Sequence, residues 1–108
     1  MNSYHIDTHS MEKTIKDWGV ITNLMNKTSL GVATDFSLSL ISYAKDHFSG
    51  THEFTELLYV TQGEGTANVG NQTLPIVKGS LVVIPAGVEH GITKVDVGPI
   101  EVVVLHLR

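Results

Sequence analysis

The sequence predicts an all-β domain, built as one antiparallel jelly roll or barrel. Short stretches in which apolar and polar residues alternate recur along the chain, and alternation with a period of two is typical of half-buried strands. Glycine, proline and asparagine separate these stretches at the spacing expected of a sandwich or barrel. No stretch carries a convincing amphipathic helical pattern. We therefore expect about eight to ten short strands around one core.

Composition excludes several classes of protein. The chain has 108 residues, 42% of them hydrophobic, which suits a single soluble domain. Its formal charge of -4 and only 7 Lys+Arg argue against a nucleic-acid partner, which requires a basic face. No apolar run approaches the roughly 18 residues of a membrane span, so we expect a cytoplasmic protein without membrane contact. Without cysteine, any metal must be bound by nitrogen and oxygen.

The N-terminal residues 1–16 show no clear period, and we expect them to form an arm or an edge strand. They contain His5 and His9, whose spacing would suit a helical metal pair, but the segment lacks an apolar helical face. Residues 17–108 are then the barrel domain. Its first predicted strand covers residues 17–25, with Trp18 as an aromatic anchor.

The next predicted strand, residues 36–43, alternates between apolar and hydroxyl side chains and is therefore expected to be half-buried. The apolar set is Phe36, Leu38 and Leu40, and the hydroxyl set includes Ser37 and Ser39. Further along, residues 66–75 contain two short strands around Gly70 and Asn71, which predicts a hairpin. Residues 77–85 and 91–97 extend the strand pattern.

The final stretch, residues 101–108, is apolar on both faces apart from His106. Such a strand either lies in the interior of the protein or packs a core on one face and a partner subunit on the other. We therefore expect a homodimer, unless the N-terminal arm folds back over its own strand. His106 is interpreted as an interior or interface histidine rather than a ligand.

His52 and Glu56 stand four residues apart at the head of an apolar run, and they look like two metal ligands. On a straight strand they would be roughly 13 Å apart, so the chain must bend between them. Glu56 would then open the next strand beside Leu58 and Val60. A carboxylate in such surroundings is costly unless a cation or strong hydrogen bonds meet it.

His90 follows the turn Pro85-Ala86-Gly87 and is the candidate third ligand. His47 is a further candidate, although a bulge near Gly50 would be needed to direct it towards the site. The alternative is structural: both His52 and His90 could be hydrogen-bonded core or rim histidines, and Glu56 could accept hydrogen bonds at a strand start.

These residues resemble the two sequence motifs of the cupin superfamily. The first motif has the form G-x5-H-x-H-x3-E-x6-G, of which this chain has the second histidine, the glutamate and the last glycine. The second has the form G-x5-P-x-G-x2-H-x3-N, of which it has all but the asparagine. The matching residues are His52, Glu56 and Gly63 in the first motif, and Gly79, Pro85, Gly87 and His90 in the second.

Three positions depart from these motifs. Ala44 replaces the opening glycine, Lys94 replaces the final asparagine, and Gly50 replaces the first ligand histidine. The resemblance implies a double-stranded β-helix barrel with a divalent metal inside its mouth. Two histidines and one carboxylate suit Zn(II) with an open position, or Fe(II) as a facial triad, and Mn or Ni is not distinguished from them.

Three functional classes follow from the resemblance. The first is a small metal-dependent enzyme acting on a small polar molecule, since similar cupins include dioxygenases, isomerases and lyases. The second is a module that binds a small molecule without catalysis, because the segment also resembles the sensor domains of arabinose-type transcription regulators. The third is a structural barrel without metal.

Overall fold

The computed structural model describes residues 5–108, which form eight strands and two single helical turns. The predicted all-β class is confirmed. A 3-10 turn covers Thr8–Ser10 and a four-residue helix, α1, covers Lys27–Leu30. The strands are β1 Thr14–Lys16, β2 Gly19–Asn26, β3 Phe36–Tyr43, β4 His47–Gly50, β5 Thr55–Val69, β6 Gln72–Ile76, β7 Leu81–Ile84 and β8 His90–Leu107.

The strands pair in the order β1-β2-β3-β8-β5-β6, with β4 added to β8 and β7 added to β5. Every recorded pair is antiparallel. The predicted hairpin around Gly70 is the β5-β6 pair. Because β8 pairs with β3, β4 and β5, it is a central strand of the sheet and not an edge strand.

Two long strands replace four shorter predicted ones. β5 runs through residues 55–69 and β8 through 90–107, and the register between them shifts at several points. Gly63 lies at one of these irregular stretches with φ +90°, where an added Cβ would lie 2.5 Å from the Pro99 carbonyl oxygen. A glycine that lets two backbones approach closely bends a long strand without ending it. In the sequence, such a glycine looks the same as one in a turn between two strands.

The core lies between the inner faces of the folded sheet. Val102 and Val104 of β8 are buried at 1% exposure, so the alternating residues Val103 and Leu105 point outward. The largest fully buried side chains are Val60, Ile76, Ile100, Val102 and Val104.

The two-residue alternation of β3 is confirmed, but its hydroxyl face is the inner one. Ser39 pairs with the inward Val104 and Ser37 pairs with His106. Both hydroxyls are hydrogen-bonded there: the Ser39 hydroxyl donates to Asn23 Oδ1 at 3.2 Å, and the Ser37 hydroxyl lies 3.2 Å from His106 Nδ1. Hydrogen-bonded hydroxyls are tolerated inside a protein. Phe36, Leu38 and Leu40 lie on the outer face, whereas Ile41 and Tyr43 share the inner face with the two serines.

The segment before the barrel begins its pairing at β1, an edge strand on β2. Residues 1–4 of the predicted arm lie outside the described residues. Within residues 5–108, no helix is long and apolar enough to cross a membrane.

Candidate metal centre

The chain bends between His52 and Glu56, as the distance argument requires. β4 ends at Gly50 and β5 begins at Thr55, so His52 lies on the connection between them. The turn that precedes β8 supports this connection, because the Gly87 N–H donates to the His52 carbonyl at 2.7 Å. Gly87 has φ +80°, a conformation that favours glycine. One backbone hydrogen bond thus joins the two motifs next to the site.

Glu56 and His90 are polar residues buried in the barrel. Glu56 is the second residue of β5 and is 7% exposed, while His90 opens β8 and is 4% exposed. The ladder places Glu56 opposite Ile84 on one side and His106 on the other. A carboxylate in this position loses most of its hydration and needs partners.

The structure brings together the three residues that the motifs indicate. Donor atoms of His52, Glu56 and His90 all lie within 4.8 Å of one another, and His90 Nε2 is 3.2 Å from Glu56 Oε2. Two imidazole nitrogens and a carboxylate oxygen are a donor set that divalent transition metals accept.

The tautomer of His90 supports a cation at this point. His90 Nδ1 lies 3.1 Å from the Val88 carbonyl oxygen, which accepts only, so Nδ1 carries the proton. In the neutral ring, Nε2 then presents a lone pair towards the Glu56 carboxylate. Among residues 5–108, this Nε2 is the buried side-chain polar atom that has no hydrogen-bond partner. A positive ion between Nε2 and the carboxylate would satisfy both groups.

The electrostatics of the site favour a charged carboxylate. Burial by itself raises the pKa of Glu56, but the hydrogen bond from His106 and the nearby imidazole of His90 lower that pKa to about 2. Burial lowers the pKa of His90, but the nearby Glu56 carboxylate and the hydrogen bond to the Val88 carbonyl outweigh burial and raise that pKa above its ordinary value. Burial is also the main reason that the pKa of His52 is lowered. Glu56 is therefore ionised at neutral pH and available to a cation.

His106 is a site residue whose contact the sequence analysis did not predict. It lies inside the barrel, in keeping with its interpretation as an interior histidine, and its Nε2 donates to Glu56 Oε1. A signal was present: His106 shares its parity on β8 with the buried Val102 and Val104. What the sequence lacked was the register that pairs His106 with Glu56.

Gly50 and His47 occupy the region where the motif has its first histidine. Gly50 pairs with His90 at φ +79° and supplies no side chain to the site. The bulge needed to redirect His47 exists, as a register shift between Phe48 and Gly50. Even so, the His47 ring stacks on Trp18 with centroids 3.9 Å apart, and His47 is not in the group of donor atoms.

Phe54 covers the outer side of the site. Its ring centroid lies 4.7 Å from that of His52 and 4.2 Å from that of His106, and the Arg108 guanidinium lies over the same ring, 4.8 Å from its centroid. Beyond it lies an open pocket of about 470 Å³, lined by Thr51, His52, Glu53, Phe54 and Arg108. On the inner side, the void next to His90 has room for about one water molecule. Space for a ligand therefore lies at the mouth.

Comparison with known proteins places the chain in a family. The family model for the cupin domain matches residues 41–106, which include His52, Glu56, His90 and His106. The chain therefore belongs to the cupin family, and the predicted resemblance is confirmed. No curated protein matches the sequence.

Solved structures share the fold at low sequence identity. A variant of oxalate decarboxylase from Bacillus subtilis superposes with a TM-score of 0.81 at 13% identity, covering 94% of this chain and 28% of that chain. The protein plu4264 from Photorhabdus luminescens gives 0.77 at 20% identity, covering 100% and 88%. A variant of Streptomyces Pac13 with uridine gives 0.74 at 17% identity, covering 99% and 83%. This chain thus spans less than a third of the decarboxylase chain.

Proposed function

We propose that this protein is a small cupin that binds one divalent metal through His52, Glu56 and His90 and a small polar molecule at the barrel mouth. The observation that carries the proposal is that ligand atoms of His52, Glu56 and His90 all lie within 4.8 Å of one another. The buried, unpartnered His90 Nε2 supports it, because that atom faces the ionised Glu56 across a gap that a cation would fill.

The proposed ligand binds in the mouth pocket of about 470 Å³, because the inner void is too narrow for an organic molecule. Thr51, Glu53 and Arg108 supply polar groups there. A bound divalent ion would act as a Lewis acid that polarises a carbonyl or hydroxyl of the ligand. Dioxygenase, isomerase and lyase chemistry are all compatible with such a site. A solved Pac13 structure contains uridine, which fits the proposed class of small polar ligands.

The alternative is a domain that binds a small molecule without catalysing a reaction, or a structural barrel without metal. The absence of a side chain at Gly50 favours this alternative, because it reduces the ligand set of the motif by one. Metal content separates the structural barrel from the other two classes. Turnover of a ligand that binds to the metal-loaded protein separates the enzyme from the sensor.

The test is elemental analysis of the purified protein, followed by titration of the metal-free protein with Zn²⁺. The expected result is one equivalent of metal, lost in His52→Ala and His90→Ala. His9→Ala is a matched control, because the side chain of His9 is 96% exposed and lies outside the site. Binding that His9→Ala removes, or that His90→Ala leaves intact, would contradict the proposal.

We also propose that two copies pair through the outer face of the sheet. Neighbouring strands β5, β7 and β8 place Tyr59 and Leu81 next to each other at 48% and 60% exposure, with Val83 at 54% close by. Covering apolar surface of this kind stabilises an association by about 25 cal/mol per Å² before its entropy cost. His9 and Lys13 of the N-terminal segment line a pocket together with Thr22 and Leu40.

A further inference from the structure

We propose that His106 is a positioning residue of the metal site, held by Ser37, which orients the Glu56 carboxylate towards the ion. This inference rests on the proposed metal function. It assigns a role to a histidine that lies outside both sequence motifs, on the last strand of the barrel.

The first step is the register of three neighbouring strands. Ser37 of β3 pairs with His106 of β8, and His106 pairs with Glu56 of β5. Residues directly opposite in antiparallel strands share a face, so all three side chains point into the barrel. The sheet therefore places a hydroxyl, an imidazole and a carboxylate in one row across the inner face.

The second step is the hydrogen bonding along this row. Ionised Glu56 only accepts, so His106 Nε2 donates its proton to Glu56 Oε1. In the neutral ring, Nδ1 then presents a lone pair, and the Ser37 hydroxyl at 3.2 Å is placed to donate to it. Ser37 thus favours the tautomer in which His106 donates to the carboxylate.

The third step is that the two oxygens of Glu56 have different partners. Oε1 is bound by His106, whereas Oε2 lies 3.2 Å from His90 Nε2 and faces the group of metal donors. His106 is not in that group of atoms within 4.8 Å. It therefore acts through Glu56 and does not contribute a ligand of its own.

Packing fixes the imidazole in this orientation. The Phe54 ring packs against the His106 ring, with centroids 4.2 Å apart, and also stacks on the His52 ring. One aromatic ring therefore contacts both histidines. Gly50, which pairs with His90, supplies no side chain to the site. With one motif ligand absent, the site depends more on an accurately oriented carboxylate, and partners that orient ligands typically contribute 10- to 100-fold in metal affinity.

The test is binding of Co²⁺ to the metal-free protein, with affinity measured by titration and the ligand set read from the visible absorption spectrum. His106→Leu is expected to weaken binding by about 10- to 100-fold. His106→Gln, whose amide can donate in place of Nε2, is expected to restore most of that affinity. The Co²⁺ spectrum should be the same in all variants, since the three ligands do not change.

Ser37→Ala has a matched control on the same strand and face. Ser39 is also hydrogen-bonded, but to Asn23 and not to His106. We expect Ser37→Ala to weaken Co²⁺ binding measurably and Ser39→Ala to leave it unchanged. If Ser37 contributes only to folding, the two variants should bind Co²⁺ with equal affinity. Equal affinities would overturn the proposed row of hydrogen bonds from Ser37 through His106 to Glu56.

Two results would overturn the role of His106 while leaving the proposed function intact. One is unchanged Co²⁺ affinity in a folded His106→Leu protein. The other is a changed spectrum in His106→Gln together with a loss of affinity as large as in His106→Leu, which would make His106 a direct ligand. If the unsubstituted protein binds neither Co²⁺ nor Zn²⁺, the proposed function and this inference are both contradicted.

Discussion

Glu56 combines burial with charge, and this combination explains much of the site. At 7% exposure its carboxylate has little contact with water, yet its pKa is lowered to about 2 by the neighbouring His106 and His90. The stabilising partners of the charge are therefore histidines, and a metal would share this role. Removing the carboxylate affects both the fold and the site.

The pH dependence of stability follows from this shift. The folded pKa of Glu56 lies below its ordinary value of 4.5, so its stabilising effect is complete above about pH 4.5 and is lost as the pH falls towards about 2. In metal-free protein, the difference in unfolding free energy between the parent and Glu56→Gln should shrink as the pH falls from about 5 to about 3. Urea unfolding of both proteins at each pH measures this difference in unfolding free energy.

The control for the pH experiment is Glu53→Gln, which changes an exposed carboxylate three residues away. Its stability difference from the parent should stay small at every pH, since exposed charges contribute little. A difference between the parent and Glu56→Gln that stays constant through the acid range would contradict the assignment of the shift to Glu56.

Gly50 offers a way to restore the ligand that the motif has and this chain lacks. An added Cβ at Gly50 meets nothing within 4 Å, but φ is +79°, so any side chain strains the backbone. We expect Gly50→His and Gly50→Ala to lose stability equally, by about 1 to 2 kcal/mol. Only Gly50→His should then bind Zn²⁺ more tightly, by about tenfold relative to Gly50→Ala. Equal Zn²⁺ affinity in the two variants would show that the position does not reach the ion.

Among the elements, the turn at Pro85–Gly87 joins the halves of the site. The Gly87 N–H bonds the His52 carbonyl, while the chain after this turn leads directly into His90. A short loop with a fixed conformation therefore sets the position of His52, on the connection between β4 and β5, relative to His90 at the start of β8. We expect the geometry of the metal site to depend on this turn.

Gly87→Ala tests the role of the turn, with Gly79→Ala as the matched control. Both glycines have positive φ, +80° and +94°, and neither has an atom within 4 Å of an added Cβ. Both variants should lose about 1 to 2 kcal/mol of stability from backbone strain. The Gly79 N–H donates to the Val60 carbonyl, whereas the Gly87 N–H donates to the carbonyl of His52. Only Gly87→Ala should therefore weaken Zn²⁺ binding. Equal metal affinities in a calorimetric titration would count against the coupling.

Some features of these strands and turns could be predicted from the sequence, and others could not. The sequence predicted the bend after His52 and the hairpin at Gly70 from local geometry, and the grouping of His52, Glu56 and His90 from the resemblance to the two cupin motifs. The inward serines of β3 and the contact of His106 with Glu56 were beyond reach, since both depend on which strands become neighbours. Pairings between residues 50 apart in sequence leave no local pattern.

At the scale of the whole molecule, the uncovered outer face predicts a dimer. Val83→Asp should reduce the mass measured by light scattering from twice 11.7 kDa to 11.7 kDa. Val97→Asp is the control, because Val97 is similarly exposed, at 53% against 54%, on the other half of β8. Val103→Asp should act like Val83→Asp, whereas Val104→Asp should unfold the barrel, since Val104 is buried in the core. A parent protein of monomeric mass would refute the dimer.

The central claim is that one ion lies between three named side chains, and anomalous diffraction from crystals of the Zn²⁺-loaded protein tests it most directly. The account predicts one strong peak at about 2.0 to 2.2 Å from a nitrogen of His52, a nitrogen of His90 and an oxygen of Glu56. His106 should remain hydrogen-bonded to the other carboxylate oxygen. A peak located elsewhere, or none between these three residues at saturating Zn²⁺, would contradict it.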